Sequence, residues 1–355
     1  MILTPKKKTT VVAGVDIDAD SVAAVAAENG SSLGAVEPIP DGAVAGGEVM
    51  DVDAVAAALQ RLFSRAKLPK QVRLAVASQS VAFRTLLLPL IEDPEQLKSA
   101  VRFQAQEQIP MPLESAVLDH QVIGAKVNDD GSRHVEVAVV AARRQSVEAL
   151  LAAARGAGLD PVGVDLAAFG MIRALAGAKV APEPQAEGEA FVQATLYCNL
   201  GGVTNLAIAR DFSCLFSRVA QFGVYEIGQE LAASTGLSTE HAETWLIHTG
   251  LSAALEDIPG DPDTAAAARR ALEANVGRLA DELRLSLDFY GAQEGATPVG
   301  GIVLCGWGSA IPGLADALAA TLGRPVSARR PAALDPFGAE VAARLALPYG
   351  LGLER

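Results

Sequence analysis

Apolar positions along the chain follow two rhythms, one close to every second residue and one close to every 3.6. Residues 11–17 and 21–28 are short apolar runs that predict the two strands of a hairpin. Val52, Val55, Leu59 and Leu62 recur at helical spacing and predict a helix over 51–66, capped by Asp51 or Asp53. Strands are predicted over 72–77 and 83–88, with Pro89 closing the second. Asp93 followed by Pro94 marks the start of a helix over 94–108, which Ile109-Pro110-Met111-Pro112 breaks. Strands over 117–126 and 134–142 flank the turn Asn128-Asp129-Asp130-Gly131. A helix over 145–157 ends at Gly158, a short strand covers 162–165, and a helix covers 167–176.

Residues 177–190 lose all periodicity, are rich in Ala, Gly, Pro and Glu, and predict a linker between two lobes. Strands follow at 191–199, 204–210 and 213–219, helices near 224–236, 239–249 and 263–292, then a strand at 300–305 and helices at 312–322 and 338–347. The helix–strand–strand–helix run within 90–160 predicts a compact α/β insertion. The two groups of strands begin alike, which predicts a duplicated α/β core; no short solenoid repeat is visible.

Three turns follow apolar, strand-like runs: Gly14 to Val22, with Asp16, Asp18, Asp20 and Ser21; Asn199 to Leu206, with Gly201, Gly202 and Thr204; and Leu304 to Leu314, with Gly306, Trp307, Gly308 and Ser309. Loops of this kind in this order surround the nucleotide in an actin-like ATPase fold. The predicted fold class is therefore α/β, an actin-like (RNase H-like) two-lobed fold.

The length, 355 residues, suits two lobes, and half the residues are apolar. The net charge of −13 argues against nucleic acid and anionic membrane surfaces as direct partners. Lys6-Lys7-Lys8 reads as a solvated tail. Cys198, Cys214 and Cys305 form no CxxC pair and read as buried hydrophobes of a reducing compartment. Without a signal core or an apolar run of about 18 residues, the expected location is the cytoplasm. No metal-ligand spacing and no nucleophile–His arrangement stands out, so no catalytic or metal residue is assigned.

Further stretches carry a family resemblance over nearly the whole chain: Phe83-Arg84-Thr85-Leu86-Leu87-Leu88-Pro89, Glu107-Gln108-Ile109-Pro110, Leu118-Asp119-His120-Gln121-Val122, Ala157-Gly158-Leu159-Asp160-Pro161, Phe216-Ser217-Arg218, Gly236-Leu237-Ser238-Thr239-Glu240-His241-Ala242-Glu243 and Leu285-Ser286-Leu287-Asp288-Phe289-Tyr290. In order and spacing they resemble the PilM family of type IV pilus assembly proteins. The resemblance implies a first lobe over 1–176 (subdomains 1A and 1C, the latter about 90–160) and a second lobe over 191–355. In the second lobe, 2B covers about 221–295 and the C-terminal helix is free to return to the first lobe. It also implies a cytoplasmic scaffold, peripheral to the inner membrane, that holds the N-terminal tail of a PilN-like membrane protein in a groove involving 1A and 1C. Other inner-membrane platform proteins of the pilus and a homo-oligomer complete the expected partners.

The nucleotide loops depart from the family pattern. Asp16 keeps the acid that orients metal, but Asp18 replaces a glycine, Asp20 a small polar residue and Ala23 a lysine. Asn199 replaces an acid, Leu246 a lysine and Trp307 a glycine, whereas Glu243 is kept. At about 5 Å and an effective dielectric near 20, each added carboxylate opposes a phosphate charge by several kcal/mol. The loops therefore read as a degraded ATP/Mg site, with Trp307 as a plug. The alternative is a working ATP-binding switch or polymerising ATPase of the FtsA kind. A GspL-like cytoplasmic region is disfavoured because no membrane segment follows the second lobe. Arg84, Leu86, Leu88, Arg102 and Phe103 are the expected contacts of the PilN-like peptide.

Overall fold

Two five-stranded sheets with the same strand plan organise the molecule. The computed structural model describes residues 11–28, 31–127, 131–176 and 193–353. In the first sheet, β1 (Ala13–Ile17) pairs antiparallel with β2 (Ser21–Glu28), which pairs antiparallel with β3 (Ser31–Pro38). On its other side β1 pairs parallel with β6 (Gln71–Val76), and β6 pairs parallel with β10 (Asp160–Leu166). The second sheet repeats this plan. β11 (Ala194–Leu200) stands at its centre, β12 (Thr204–Arg210) and β13 (Ser213–Ala220) run antiparallel on one side, and β14 (Val299–Cys305) and β15 (Val326–Ala328) run parallel on the other. The duplicated core expected from the strand pattern is this pair of sheets, and the fold is actin-like α/β.

The expected helices form where their caps and apolar stripes place them. In α1 (Val52–Ala66), the Asp51 carboxylate accepts the Ala54 N–H at 2.9 Å while Val55, Leu59 and Leu62 turn inward. In α2 (Pro94–Gln108), Asp93 caps Gln96 N–H at 2.8 Å. In α7 (Pro262–Gly291), Asp261 caps Thr264 N–H at 2.8 Å with Pro262 in the first turn. The remaining helices are α3 (Arg144–Gly156), α4 (Ala167–Leu175), α5 (Val224–Thr235), α6 (Thr239–Thr249), α8 (Leu314–Leu322) and α9 (Ala339–Gly352).

The inserted sheet has the order β7 (Val81–Pro89), β9 (Arg133–Arg143), β8 (Ala116–Val127), with β4 (Val44–Ala45) and β5 (Glu48–Val49) forming a separate small ribbon. It therefore begins at 81, before the expected 90. α3 packs on α1 of the first lobe and is not part of the insertion. The turn at 128–130, Lys6 to Lys8 and the linker 177–190 lie outside the described residues. Among the described residues no helix is long and apolar enough to cross a membrane.

α9 runs on past the expected end at 347 and returns to the first lobe, packing on β1, β2 and α4. Gly350 lets it touch α4: a Cβ there would stand 1.9 Å from the Gly170 carbonyl oxygen. Arg73 donates to the Leu351 carbonyl at 2.8 Å, and Arg173 to the Gly350 carbonyl at 2.8 Å.

Candidate functional site

The β1–β2 turn and the β11–β12 turn meet head to head between the lobes. Each is a tight reversal at the end of a central strand, so duplication of the sheet brings the turns face to face. Asp18 bridges them. Its Oδ1 accepts from the N–H of Ala19 in its own turn and from the N–H of Gly202 in the other, both at 2.8 Å. A Cβ at Gly201 would lie 2.1 Å from Asp18 Oδ2, and one at Gly202 2.6 Å from Asp18 Oδ1. The glycine pair thus makes room for a carboxylate of the same chain.

A second bridge comes from α9. Arg344 forms ion pairs with Asp20 and, at 3.2 Å, with Glu243 of α6, and donates to Ser21 Oγ at 3.0 Å. Its guanidinium lies 5.3 Å from the centre of the Trp307 ring. Trp307 is 1% exposed, and its indole N–H finds no acceptor among the described residues. One arginine therefore ties the first turn, α6 and the third turn together.

Crowding of acids sets the electrostatics. Burial, then Asp18, push the Asp16 carboxyl up to about 8. Burial, then Asp20, push Asp18 up to about 6 and Glu243 up to about 9. Burial and acidic neighbours thus favour the protonated forms of Asp16 and Glu243, opposed at Glu243 by Arg344. Burial disfavours charge on Arg344, but attraction by Asp20 and Glu243 outweighs it and raises its pKa above the ordinary value.

The space left divides in two. Between Asp16, Asp18, Ser21, Ala23, Asn199, Gly306, Trp307 and Arg344 lies a cavity of about 10 Å³, room for one water at most. The outer cleft is larger, about 410 Å³, with Asp20, Asp41, Glu240, Glu243 and Glu340 on its walls against the single cation Arg344. Asp41 closes it across the lobes, accepting from Tyr225 Oη at 3.1 Å and Thr239 Oγ1 at 3.0 Å. The Gly202 donor is taken by Asp18, the inner space holds one water at most, and the outer walls are acidic. Among the described residues no group of three or more His, Cys, Asp or Glu has metal-holding geometry.

Of the expected nucleotide residues, Asp16, Asp18, Asp20, Ser21, Gly201, Gly202, Glu243, Gly306 and Trp307 converge here. Thr204 does not face the cleft; its hydroxyl donates to the Phe222 carbonyl at 2.7 Å. Gly308 packs on Leu200 and Val224, and Ser309 Oγ donates back to Gly306 at 2.7 Å, so both shape the third turn. Arg344, absent from the expected set, is the central cation.

Of the expected peptide contacts, Leu86 (1% exposed) and Leu88 (6%) instead face α2 and pack in the core of the insertion. Arg102 and Phe103 stand on the outer face of α2. The groove between the first lobe and the insertion runs on the other face of the inserted sheet. Val117, Asp119 and Gln121 of β8 and Ala138 and Val140 of β9 line it, opposite Val164 of β10 and Phe169 of α4. It encloses about 380 Å³.

A family model described as type IV pilus assembly protein PilM matches residues 14–343. The chain belongs to the PilM family. A solved PilM–PilN type IV pilus biogenesis complex is similar over 98% of this chain and 99% of its own, at 26% identity and a TM-score of 0.77. Two more distant structures share the fold. EutJ from Carboxydothermus hydrogenoformans is 14% identical with a TM-score of 0.57, covering 99% of this chain and 92% of its own. MreB5 of Spiroplasma citri, solved with ADP, is 14% identical with a TM-score of 0.56, covering 96% and 95%. Against that background, the PilM-family chain described here places its own carboxylate and arginine between the nucleotide-type turns.

Proposed function

We propose that this PilM-family chain is a cytoplasmic scaffold of a type IV pilus machine that holds the N-terminal segment of a PilN-like membrane protein and does not use nucleotide. The groove between the first lobe and the insertion supports the first half. β8 is the edge strand of its sheet, and its consecutive residues Asp119, His120 and Gln121 all border the groove. An extended segment can therefore add to the strand edge while its apolar side chains enter between Val140, Val164 and Phe169. Tethering through such a segment keeps the chain peripheral to the inner membrane without a span of its own.

The Asp18 carboxylate on the Gly202 N–H supports the second half, since it takes a donor that a phosphate would need. With Arg344 behind it, the cleft is closed by the chain itself and the protein is not a turnover enzyme.

Calorimetry tests both halves. The N-terminal peptide of the cognate PilN-like protein is expected to bind the wild-type chain and Phe103→Glu equally, and Val117→Glu at least about tenfold more weakly. Equal binding to Val117→Glu would remove the groove assignment. Mg-ATP is expected to give no heat and no change in melting temperature; micromolar binding would restore the reading of a nucleotide-driven switch.

A further inference from the structure

A second groove lies along the β7 edge of the inserted sheet, where β7 and the end of α2 approach β13 and α7 of the second lobe. It encloses about 420 Å³, and its walls include Val81, Arg84, Pro110, Phe216, Leu285 and Phe289. Strand order fixes its relation to the first groove. β7 is one edge of the inserted sheet and β8 the other, with β9 between them. The second groove is lined from β7 and the first from β8 and β9, and no residue lines both.

Leu285 and Phe289 are 57% and 59% exposed, one helical turn apart on α7. The Phe289 ring centre lies 5.8 Å from that of Phe216. An apolar strip of this kind is unusual on a helix that otherwise shows solvent polar residues. The charge of the groove is equally out of character. The chain carries a net charge of −13, yet no carboxylate lines this groove and two arginines do. Arg218 is held by Glu282 at 2.9 Å and Ser286 at 2.8 Å, which fixes its guanidinium from beside the groove. Arg84 donates to the Phe83 carbonyl at 2.8 Å and meets no carboxylate among the described residues.

We infer that this groove is a second docking site, for a short acidic and apolar segment of a partner protein, with a carboxylate on Arg84 and a large apolar side chain against Leu285 and Phe289. Charge complementarity selects the occupant: on a chain of net charge −13, this groove offers an acidic segment an arginine and no carboxylate on its walls. The walls come from both the insertion and the second lobe, so a bound segment would pin the two together, which the first groove, built within the first lobe, does not do. This site is independent of the PilN-like segment assigned above.

The test uses the full chain and a fluorescein-labelled ten-residue peptide alternating Asp with Leu and Phe, beside its Asn-for-Asp counterpart, read by fluorescence polarisation. The Asp peptide is expected to bind roughly tenfold more tightly than the Asn peptide, and less tightly as salt is raised. Arg84→Glu and Phe289→Asp, both at accessible positions, are each expected to weaken it by roughly tenfold, whereas Val117→Glu leaves it unchanged. Unchanged urea midpoints certify that the variants fold. Equal binding of the two peptides, or binding indifferent to Arg84→Glu, would overturn the proposal. So would loss of binding in Val117→Glu alone, or a concentration-dependent self-association abolished by Phe289→Asp, which would assign the groove to a second copy of the chain.

Discussion

Replacing Asp18 by Asn removes a charge from the cleft while keeping the oxygen that accepts from Ala19 and Gly202. The Asp18 carboxyl titrates at about 6 in the folded chain against an ordinary value of 3.8, first because of burial and then because of Asp20. A raised value means that the folded state holds this proton more tightly than the unfolded state. The associated stability is complete below about pH 4 and is lost as pH rises through 6. A rise of that size corresponds to about 3 kcal/mol at pH 8. The hydrogen bonds from Ala19 and Gly202 favour the charged form and are already contained in that value. Asp18→Asn is therefore expected to be more stable than wild type by about 3 kcal/mol at pH 8, with the advantage roughly halved at pH 5, where the unfolded carboxyl is already ionised, and gone below about pH 4. Urea unfolding followed by tryptophan fluorescence at the two pH values reads this directly. A variant less stable than wild type at pH 8, or equally stabilised at both, would refute the argument that burial and repulsion by Asp20 strain the charged Asp18.

Three other perturbations probe the remaining contacts. Arg344→Met leaves Asp20 without its buried cation and is expected to cost about 3 kcal/mol in urea unfolding, with faster amide exchange in the β1–β2 turn and α6; a neutral result would deny the bridge. Gly350→Val drives a side chain into the Gly170 carbonyl and is expected to abolish soluble expression or cost about 3 kcal/mol or more, measured by thermal melting. Asp41→Ala removes the acceptor of Tyr225 and Thr239 and is expected to cost about 1 kcal/mol and to quicken exchange at the start of α6, with no change arguing against a clasp between lobes.

The helices with explicit punctuation were legible in the sequence. Asp93-Pro94 and the Ile109-Pro110 break bound α2 where the caps form, and the Val55, Leu59 and Leu62 stripe bounds α1. β3 was not predicted, because Ser31-Ser32-Leu33-Gly34 carries no strand rhythm; it forms on the edge offered by β2. α9 was expected to stop before Pro348. Missing one N–H is outweighed there by burial of Leu347 and Leu351 and by the contact through Gly350. Within the cleft, the three turns were visible as glycine and aspartate patterns, but Arg344 was not. Its only mark is a lone charge in the alanine- and leucine-rich run Ala342-Ala343-Arg344-Leu345-Ala346, and its partners lie more than a hundred residues away. Leu86 and Leu88 turn inward for a different reason. Leu86-Leu87-Leu88 reads as one apolar block, yet strand alternation sends Leu86 and Leu88 under α2 and leaves Leu87 on the far face, half exposed.

α9 also has a bearing on how the molecule is made. β1 is among the first described elements of the chain, but its inner face is covered by the helix at 339–352, and Arg73 on β6 waits for the carbonyls of Leu351 and Leu353. During synthesis the first sheet must therefore stand without its covering helix while about 170 further residues, including the whole second sheet, emerge. Formation of α9 then supplies helix, first-lobe core and cleft cation together, so that the seal between the lobes is set only once both of them exist.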